Sequence, residues 1–308
     1  VTIAVTGGTG FVGQAVLDEA GRRGLSIKAL TRREQEPREG VEWVRGDLHD
    51  ADALRELARG AGSILHIAGV INAPDAAGFQ HGNVAGTRNV VGAAVNEEIR
   101  RFVCVSSLSA REPQLSDYGR SKLEGEEEVH ASGLDWTTIR PPAIYGPRDT
   151  EIFELFRAAR WGIVPVPPAG FASMIHVDDL ARLLLDCASA AEGSAWSGRI
   201  FEPDDAREGG WPHQEIARAI GKAMGRQVWA PAVPALVLKS AAQLDRLFRG
   251  DSAKLTPDRA SYMVHPDWVA SSEKRVPSAL WKPEIDTIEG LADTARWYIA
   301  KGWLQSDR

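Results

Sequence analysis

The chain has 308 residues, of which 44% are hydrophobic and 25% charged, with a formal net charge of -6. That profile fits a globular protein of one large domain or two ordinary ones and excludes a low-complexity or disordered chain. The acidic balance stands against a nucleic-acid partner. No apolar stretch reaches membrane-spanning length and no signal peptide precedes the first apolar run, so a cytoplasmic protein is expected. The two cysteines, Cys104 and Cys187, each sit in an apolar segment and read as buried thiols of a reducing compartment rather than a disulfide.

In chain order, apolar strand patterns fall at 2–7, 26–32, 41–47, 63–69, 101–107 and 134–142, with helical patterns between them at 11–23, 51–58, 87–97 and 118–131. Strands alternating with helices at this spacing predict βαβ units and an α/β fold with a doubly wound parallel sheet. Their nearly continuous apolar character predicts a sheet covered on both faces. Beyond residue 150 the texture changes, and eight of the ten tryptophans lie there. The run IHVDDLARLLLDCASA reads as a strand and a helix returning to the first domain, with Asp178 and Asp179 capping the helix. The expected division is therefore 1–150 plus about 174–204 for the sheet domain. A smaller, mostly helical domain of about 151–173 plus 205–308 would cover the crevice at the sheet's C-terminal edge. The acidic run EGEEE (124–128) reads as a solvated helix face. No His, Cys or carboxylate cluster has metal-ligand spacing, so no metal is expected.

The opening run TIAVTGGTGFVGQAV places Gly7, Gly10 and Gly13 three apart between a strand and a helix. In such a junction the first glycine permits the tight turn and the second lets the backbone approach a pyrophosphate. The third lets the helix pack on the strand. Thr9, Phe11 and Val12 complete the turn and the helix start, whose free N–H groups and positive dipole end suit phosphates. This predicts a Rossmann dinucleotide site. An NAD site usually has a carboxylate after the second strand; this chain has Thr31-Arg32-Arg33. Guanidinium groups suit a ribose 2′-phosphate, so NADP is favoured, with NAD as the alternative if Glu34 holds the ribose.

Tyr118 and Lys122 stand at i and i+4, on one helical face. A lysine ammonium beside a positive nicotinamide favours the phenolate form of a tyrosine, which then exchanges a proton with a substrate oxygen as hydride moves. The preceding strand RFVCVSS ends in Ser106-Ser107, placing a serine where it could hydrogen-bond that oxygen. Satisfying backbone groups at the strand end is the alternative, read as fitting Ser106 better than Ser107. His66, inside SILHIAG, reads as a satisfied core histidine.

With these pieces stand GDL (46–48), LHIAG (65–69), NVAGTRNVVGAA (83–94), IRPPAIYGP (139–147) and IHVDDLA (175–181). Together they resemble the extended branch of the short-chain dehydrogenase/reductase superfamily, the epimerase/dehydratase-like group, over nearly the whole chain. The resemblance implies that Asp47 and Leu48 flank the adenine and that Ala68 and Gly69 line the ribose. It implies that Ser107, Tyr118 and Lys122 form the catalytic set, with Asn83 supporting the lysine side. Pro141, Ala143 and Ile144 would pass over the nicotinamide. For Asn83 a helix cap is the alternative. The resemblance also implies a homodimer through paired helices, a question the acidic EGEEE run on the Tyr118 helix leaves open.

Two departures narrow this reading. Only ten residues separate Ser107 from Tyr118, which resembles an atypical subgroup related to an accessory subunit of respiratory complex I. Some members of that subgroup bind NADPH without known turnover, so a non-catalytic accessory or sensor protein is the alternative. The asparagine and arginine with which sugar-nucleotide epimerases hold their substrates are replaced in IRPPAIYGP and FASMIHVDD. The segment offers Trp161, Val164, Val166, Phe171 and Met174 instead, which suits a small hydrophobic carbonyl or alcohol, unless these residues are simply core. The expectation is an NAD(P)H-dependent oxidoreductase, with a sugar-nucleotide epimerase or dehydratase ranked last.

Overall fold

A computed structural model describes residues 2–168, 170–238, 240, 243 and 256–305. In chain order it contains β1 (Thr2–Thr6), α1 (Phe11–Arg22), β2 (Ser26–Thr31), β3 (Val41–Arg45), α2 (Ala51–Ala58) and β4 (Ser63–His66). Next come α3 (Ala76–Phe79), a π-helical turn (Gln80–Ala85), α4 (Gly86–Asn96), β5 (Arg101–Val105), a 3-10 turn (Leu108–Arg111), α5 (Asp117–His130) and β6 (Asp135–Ile139). They are followed by β7 (Ala143–Tyr145), α6 (Phe153–Ala159), β8 (Phe171–Ala172), β9 (Met174–His176), α7 (Val177–Ala188) and β10 (Arg199–Phe201). The chain continues through β11 (Trp211–Pro212), α8 (His213–Ala223), α9 (Pro257–Met263), β12 (Asp267–Trp268) and α10 (Thr287–Ala300).

Two compact units result: one up to Pro141 together with Leu180–Glu202, the other Pro142–Asp179 together with the chain from Pro203 on. The first is a seven-stranded sheet in the order β10-β6-β5-β4-β1-β2-β3, every pairing parallel. It is a Rossmann-like α/β fold. Val5 pairs with Leu65 and Thr6 with His66, so β1 and β4 lie side by side where the strand order reverses. In such sheets ligands bind at the C-terminal strand ends beside this switch point. All residues of β4 and β5 are buried, as a sheet covered on both faces requires. Cys104 and Cys187 are free and fully enclosed in this unit, and burial pushes the Cys104 thiol up to about 12.

In the second unit, β7 pairs with β9 and β8 lies between β11 and β12. Residues 142–150 and 174–179, which the sequence reading gives to the sheet domain, cluster here because β7 and β9 pair with each other. Its core gathers Tyr145, Phe156, Met174, Ile216, Leu291 and Tyr298. Asp178 and Asp179 lie inside the first turn of α7, not at its cap; the Asp179 carboxylate accepts from the N–H groups of Glu284 and Ile285. No helix among the described residues is long and apolar enough to cross a membrane.

The acidic run on α5 is not a uniformly solvated face. Glu126 is fully buried and holds Arg140 through two bonds of 2.8 and 2.6 Å. The pair ties α5 to the end of β6, with Glu202 3.8 Å from the same guanidinium. Burying a carboxylate demands such a partner.

Candidate functional site

The glycine turn follows β1 directly. Gly7 has φ +77°, and a Cβ there would stand 2.7 Å from the Ala68 nitrogen. At Gly13 a Cβ would stand 2.1 Å from the Gly7 carbonyl oxygen, so only glycine lets α1 sit this close to the turn. Gly10 differs: its φ is -80°, and a Cβ would meet nothing nearer than the Gly7 oxygen at 3.4 Å. The protein's own packing does not require a glycine at 10. Gly10 caps α1 without a side chain, whereas α2 and α5 have side-chain caps in Asp50 and Ser116. Thr9 and Gly10 are exposed and Phe11 and Val12 half-buried, so the first-turn N–H groups face an open cradle that fits a pyrophosphate.

Arg32 and Arg33 are exposed immediately after β2, and Thr31 shapes their turn by donating to the Arg33 carbonyl at 2.7 Å. Asp47 accepts from the His49 N–H at 2.8 Å, and Leu48 packs beside Gly86 of α4.

Between the ends of β1 and β4 a chain of hydrogen bonds runs through the sheet. The Ala68 N–H donates to Thr6 Oγ1 at 3.3 Å, and Thr6 Oγ1 meets His66 Nδ1 at 2.7 Å. His66 Nε2 lies 2.9 Å from Thr87 Oγ1, whose own proton goes to the Asn83 carbonyl at 2.6 Å. Thr87 is therefore an acceptor toward the ring, which fixes the Nε2–H tautomer and makes Nδ1 the acceptor from Thr6. Burial, and secondarily the Lys122 ammonium, pushes His66 down to about 3, so the ring is neutral. It is a satisfied core histidine.

Asn83 sits in the π-helical turn, not at a helix cap. Its amide accepts from the Val70 N–H at 2.7 Å and donates to the Val70 carbonyl and to Ser121 Oγ, both at 2.9 Å. Ser121 in turn donates to the Tyr118 carbonyl at 2.8 Å. The residue reading missed Ser121, although it stands beside Lys122, because its partner lies 38 positions away. Asn83 thus braces the loop after β4 and the Tyr118 turn of α5. These bonds do not go to Lys122, whose Nζ donates to the Val105 carbonyl at 2.9 Å. The two still adjoin: a Cβ on Gly69 would lie 3.1 Å from Asn83 Oδ1 and 3.4 Å from Lys122 Nζ.

Tyr118 is half-buried, with its ring centroid 5.9 Å from that of Phe79. Ser107 caps the 3-10 turn: its Oγ accepts from the Ser109 N–H at 3.2 Å and donates to Ser109 Oγ at 3.1 Å. The strand-end role read as fitting Ser106 therefore belongs to Ser107, while Ser106 Oγ is buried without a partner among the described residues. The cap uses one acceptor position of Ser107 and leaves its O–H free to rotate. The Pro141 carbonyl accepts from the Leu108 N–H at 3.0 Å, placing Pro141 beside this turn. Ala143 and Ile144 belong to the second unit, paired with Met174 and Ile175 in β7 and β9.

The expected apolar wall is not one surface. Val164, Val166 and Met174 are at most 5% exposed and form core of the second unit, while Trp161 is 82% exposed and Phe171 49%. Among the described residues no group of three or more His, Cys, Asp or Glu side chains could hold a metal ion.

A parallel sheet with an uncapped glycine cradle at its switch point defines a dinucleotide-binding α/β protein. A family profile described as NAD(P)H-binding matches residues 7–191, and the chain belongs to this family. It is 37% identical to ceramide reductase of Caulobacter vibrioides (strain NA1000 / CB15N), over 98% of this chain and 96% of that protein. It is 27% identical to 2-alkyl-3-oxoalkanoate reductase of Stenotrophomonas maltophilia (strain K279a), over 94% and 97%. The solved structure of MoeE5 in complex with UDP-glucose and NAD superposes with a TM-score of 0.75 at 21% identity, covering 97% of this chain and 99% of that one, a likeness of fold alone. Family and reductase relatives together support an NAD(P)-dependent oxidoreductase. The complex I likeness rests on the Ser107–Tyr118 spacing alone.

Proposed function

We propose that the protein is an NADP(H)-dependent reductase of a ketone carried on a hydrophobic, lipid-like molecule, with Ser107, Tyr118 and Lys122 as its catalytic set. The observation that carries this is the position of Lys122: bonded to the Val105 carbonyl at 2.9 Å, it lies next to Gly69 and one turn from Tyr118. A bound nicotinamide supplies or accepts the hydride. Tyr118 gives its phenolic proton to the carbonyl oxygen as the carbon is reduced, which balances the reaction to an alcohol. Lys122 holds the cofactor ribose and favours the phenolate that Tyr118 leaves behind. Ser107 keeps its oxygen pinned by the Ser109 N–H and rotates its O–H from Ser109 Oγ onto the substrate oxygen.

Gly7, Thr9, Gly10, Phe11, Val12 and Gly13 would seat the pyrophosphate, and Arg32 and Arg33 a 2′-phosphate. Asp47 and Leu48 would flank the adenine, Ala68, Gly69 and Asn83 the ribose region, and Pro141, Ala143 and Ile144 the nicotinamide. The lipid-like substrate is supported by the relatives named for ceramide and 2-alkyl-3-oxoalkanoate and by the missing polar groups in IRPPAIYGP and FASMIHVDD. The test is turnover of long-chain β-keto amides and 3-oxo acids with NADPH by the wild type and by Tyr118→Phe. The variant should bind NADPH as the wild type does and lose turnover. Wild-type rates in the variant would remove Tyr118 from the chemistry.

A further inference from the structure

We infer that the second unit carries a docking face for an anionic lipid bilayer, built on Trp161, Ile163 and Trp229. These side chains are 82%, 44% and 68% exposed. Trp161 lies in the turn after α6, its N–H donating to the Ala158 carbonyl at 2.9 Å, and leads into a ribbon. There Ile163 and Trp229 are paired in a parallel bridge, Trp229 N–H donates to the Gly162 carbonyl at 2.8 Å, and Val164 N–H to the Trp229 carbonyl at 2.9 Å. Extended backbone alternates its side chains, so the buried Val164 and Val166 anchor the ribbon to the core while Ile163 is turned outward. Two further apolar side chains, Leu236 and Val237, are 77% and 53% exposed on the helical turn that follows the paired segment. A clustered apolar surface is a site of interaction, and tryptophan is the side chain that settles at a membrane–water interface.

Charge selects the occupant. Residues 153–166 and 222–238 contain Arg157, Arg160, Lys222 and Arg226 against one acidic residue, Glu154, giving +3 in a chain of net -6. Glu154 is itself engaged with Arg157 at 2.8 Å. Arg226 donates to the Arg160 carbonyl at 3.0 Å, which sets a guanidinium beside the residue preceding Trp161, and Lys222 is exposed near the end of α8. Basic groups near exposed tryptophans complement anionic headgroups over acyl chains. A second copy meeting the same face about a two-fold axis would set these like charges against each other. The inference goes beyond the reductase reading and does not need turnover, though a lipid-like substrate would reside in the same bilayer.

The test is co-sedimentation of the full chain with vesicles of equal parts phosphatidylglycerol and phosphatidylcholine, and with pure phosphatidylcholine, without substrate. Binding to the anionic vesicles should be at least about tenfold tighter and should weaken with salt. Trp161→Ala/Trp229→Ala should weaken it by about tenfold or more. Thermal stabilisation by NADPH, which reports on the first unit, should be unchanged in that variant and shows that it is folded. No binding to anionic vesicles, or equal binding by the double variant, overturns the proposal. So does light scattering that shows a dimer lost in the double variant, which would seat a second copy there. Vesicle binding with no carbonyl turnover would leave the docking face standing and sink only the reductase reading.

Discussion

The first unit spends its buried polar groups on a connected chain from Ala68 through Thr6, His66 and Thr87 to Asn83 and Ser121, whereas the second is held by rings. Tyr298 has Phe153, Phe156, Trp297 and Trp303 around it, with centroids 4.8 to 5.8 Å away. A hydrogen-bond chain permits one arrangement of its members, so it suits a unit in which the proposed cofactor and Tyr118–Lys122 pair would need fixed geometry. Aromatic packing is less directional, and the unit built on it also carries the exposed tryptophans.

The largest expected effect falls on the chemistry of the first unit. Tyr118→Phe should lower kcat by about 100- to 10,000-fold with NADPH affinity unchanged, measured by steady-state kinetics and a binding titration. No comparable loss should follow from Trp229→Ala in the second unit. Arg140→Met leaves the buried Glu126 without its partner and should cost about 3–5 kcal/mol in urea unfolding. A loss under about 1 kcal/mol would mean that the pair does not tie α5 to the sheet.

The two units should also answer pH with opposite signs. Folded His66 lies well below its unfolded value, so its contribution is full above pH 6.5 and is lost as pH falls toward about 3. It is worth about 5 kcal/mol at most. In the second unit, burial lifts Asp149 to about 6 despite its bonds from the Glu151 and Ile152 N–H groups. Its contribution is therefore full below pH 3.8 and is lost as pH rises through about 6, worth about 3 kcal/mol. Hydrogen-exchange protection between pH 4 and 6 should rise with pH in β4 and fall in α6, and Asp149→Asn should abolish the second trend. The smallest effect tests the cofactor: Arg32→Ala/Arg33→Ala should weaken NADPH by about tenfold and leave NADH unchanged. Equal losses for both cofactors would discard the 2′-phosphate reading.

Much of this was legible from short-range pattern. The six sheet strands from β1 to β6 appear as apolar runs, and the glycine turn and the i, i+4 placement of Tyr118 and Lys122 need only local geometry. The helix and π-turn before α4, where Asn83 lies, fall outside the helical patterns of the sequence, because Gly78 and Gly82 interrupt any apolar period there. Glu126 looked like one more solvated carboxylate in EGEEE, since nothing within its helix announces Arg140. Val164, Val166 and Met174 looked equally fit for a substrate wall or for core, and only packing placed them in core.

Local order alone carries the parallel α/β sheet, the glycine turn and the i, i+4 pair of Tyr118 and Lys122, because each depends on neighbours within a few positions. Folding in three dimensions is what makes Ser107 cap a turn, Asn83 brace Val70 and Ser121, His66 link Thr6 to Thr87, and Trp161 and Trp229 face outward. Those roles are set by which distant atom satisfies a buried polar group and which side of a ribbon meets the core. Neither is written in the local order of residues.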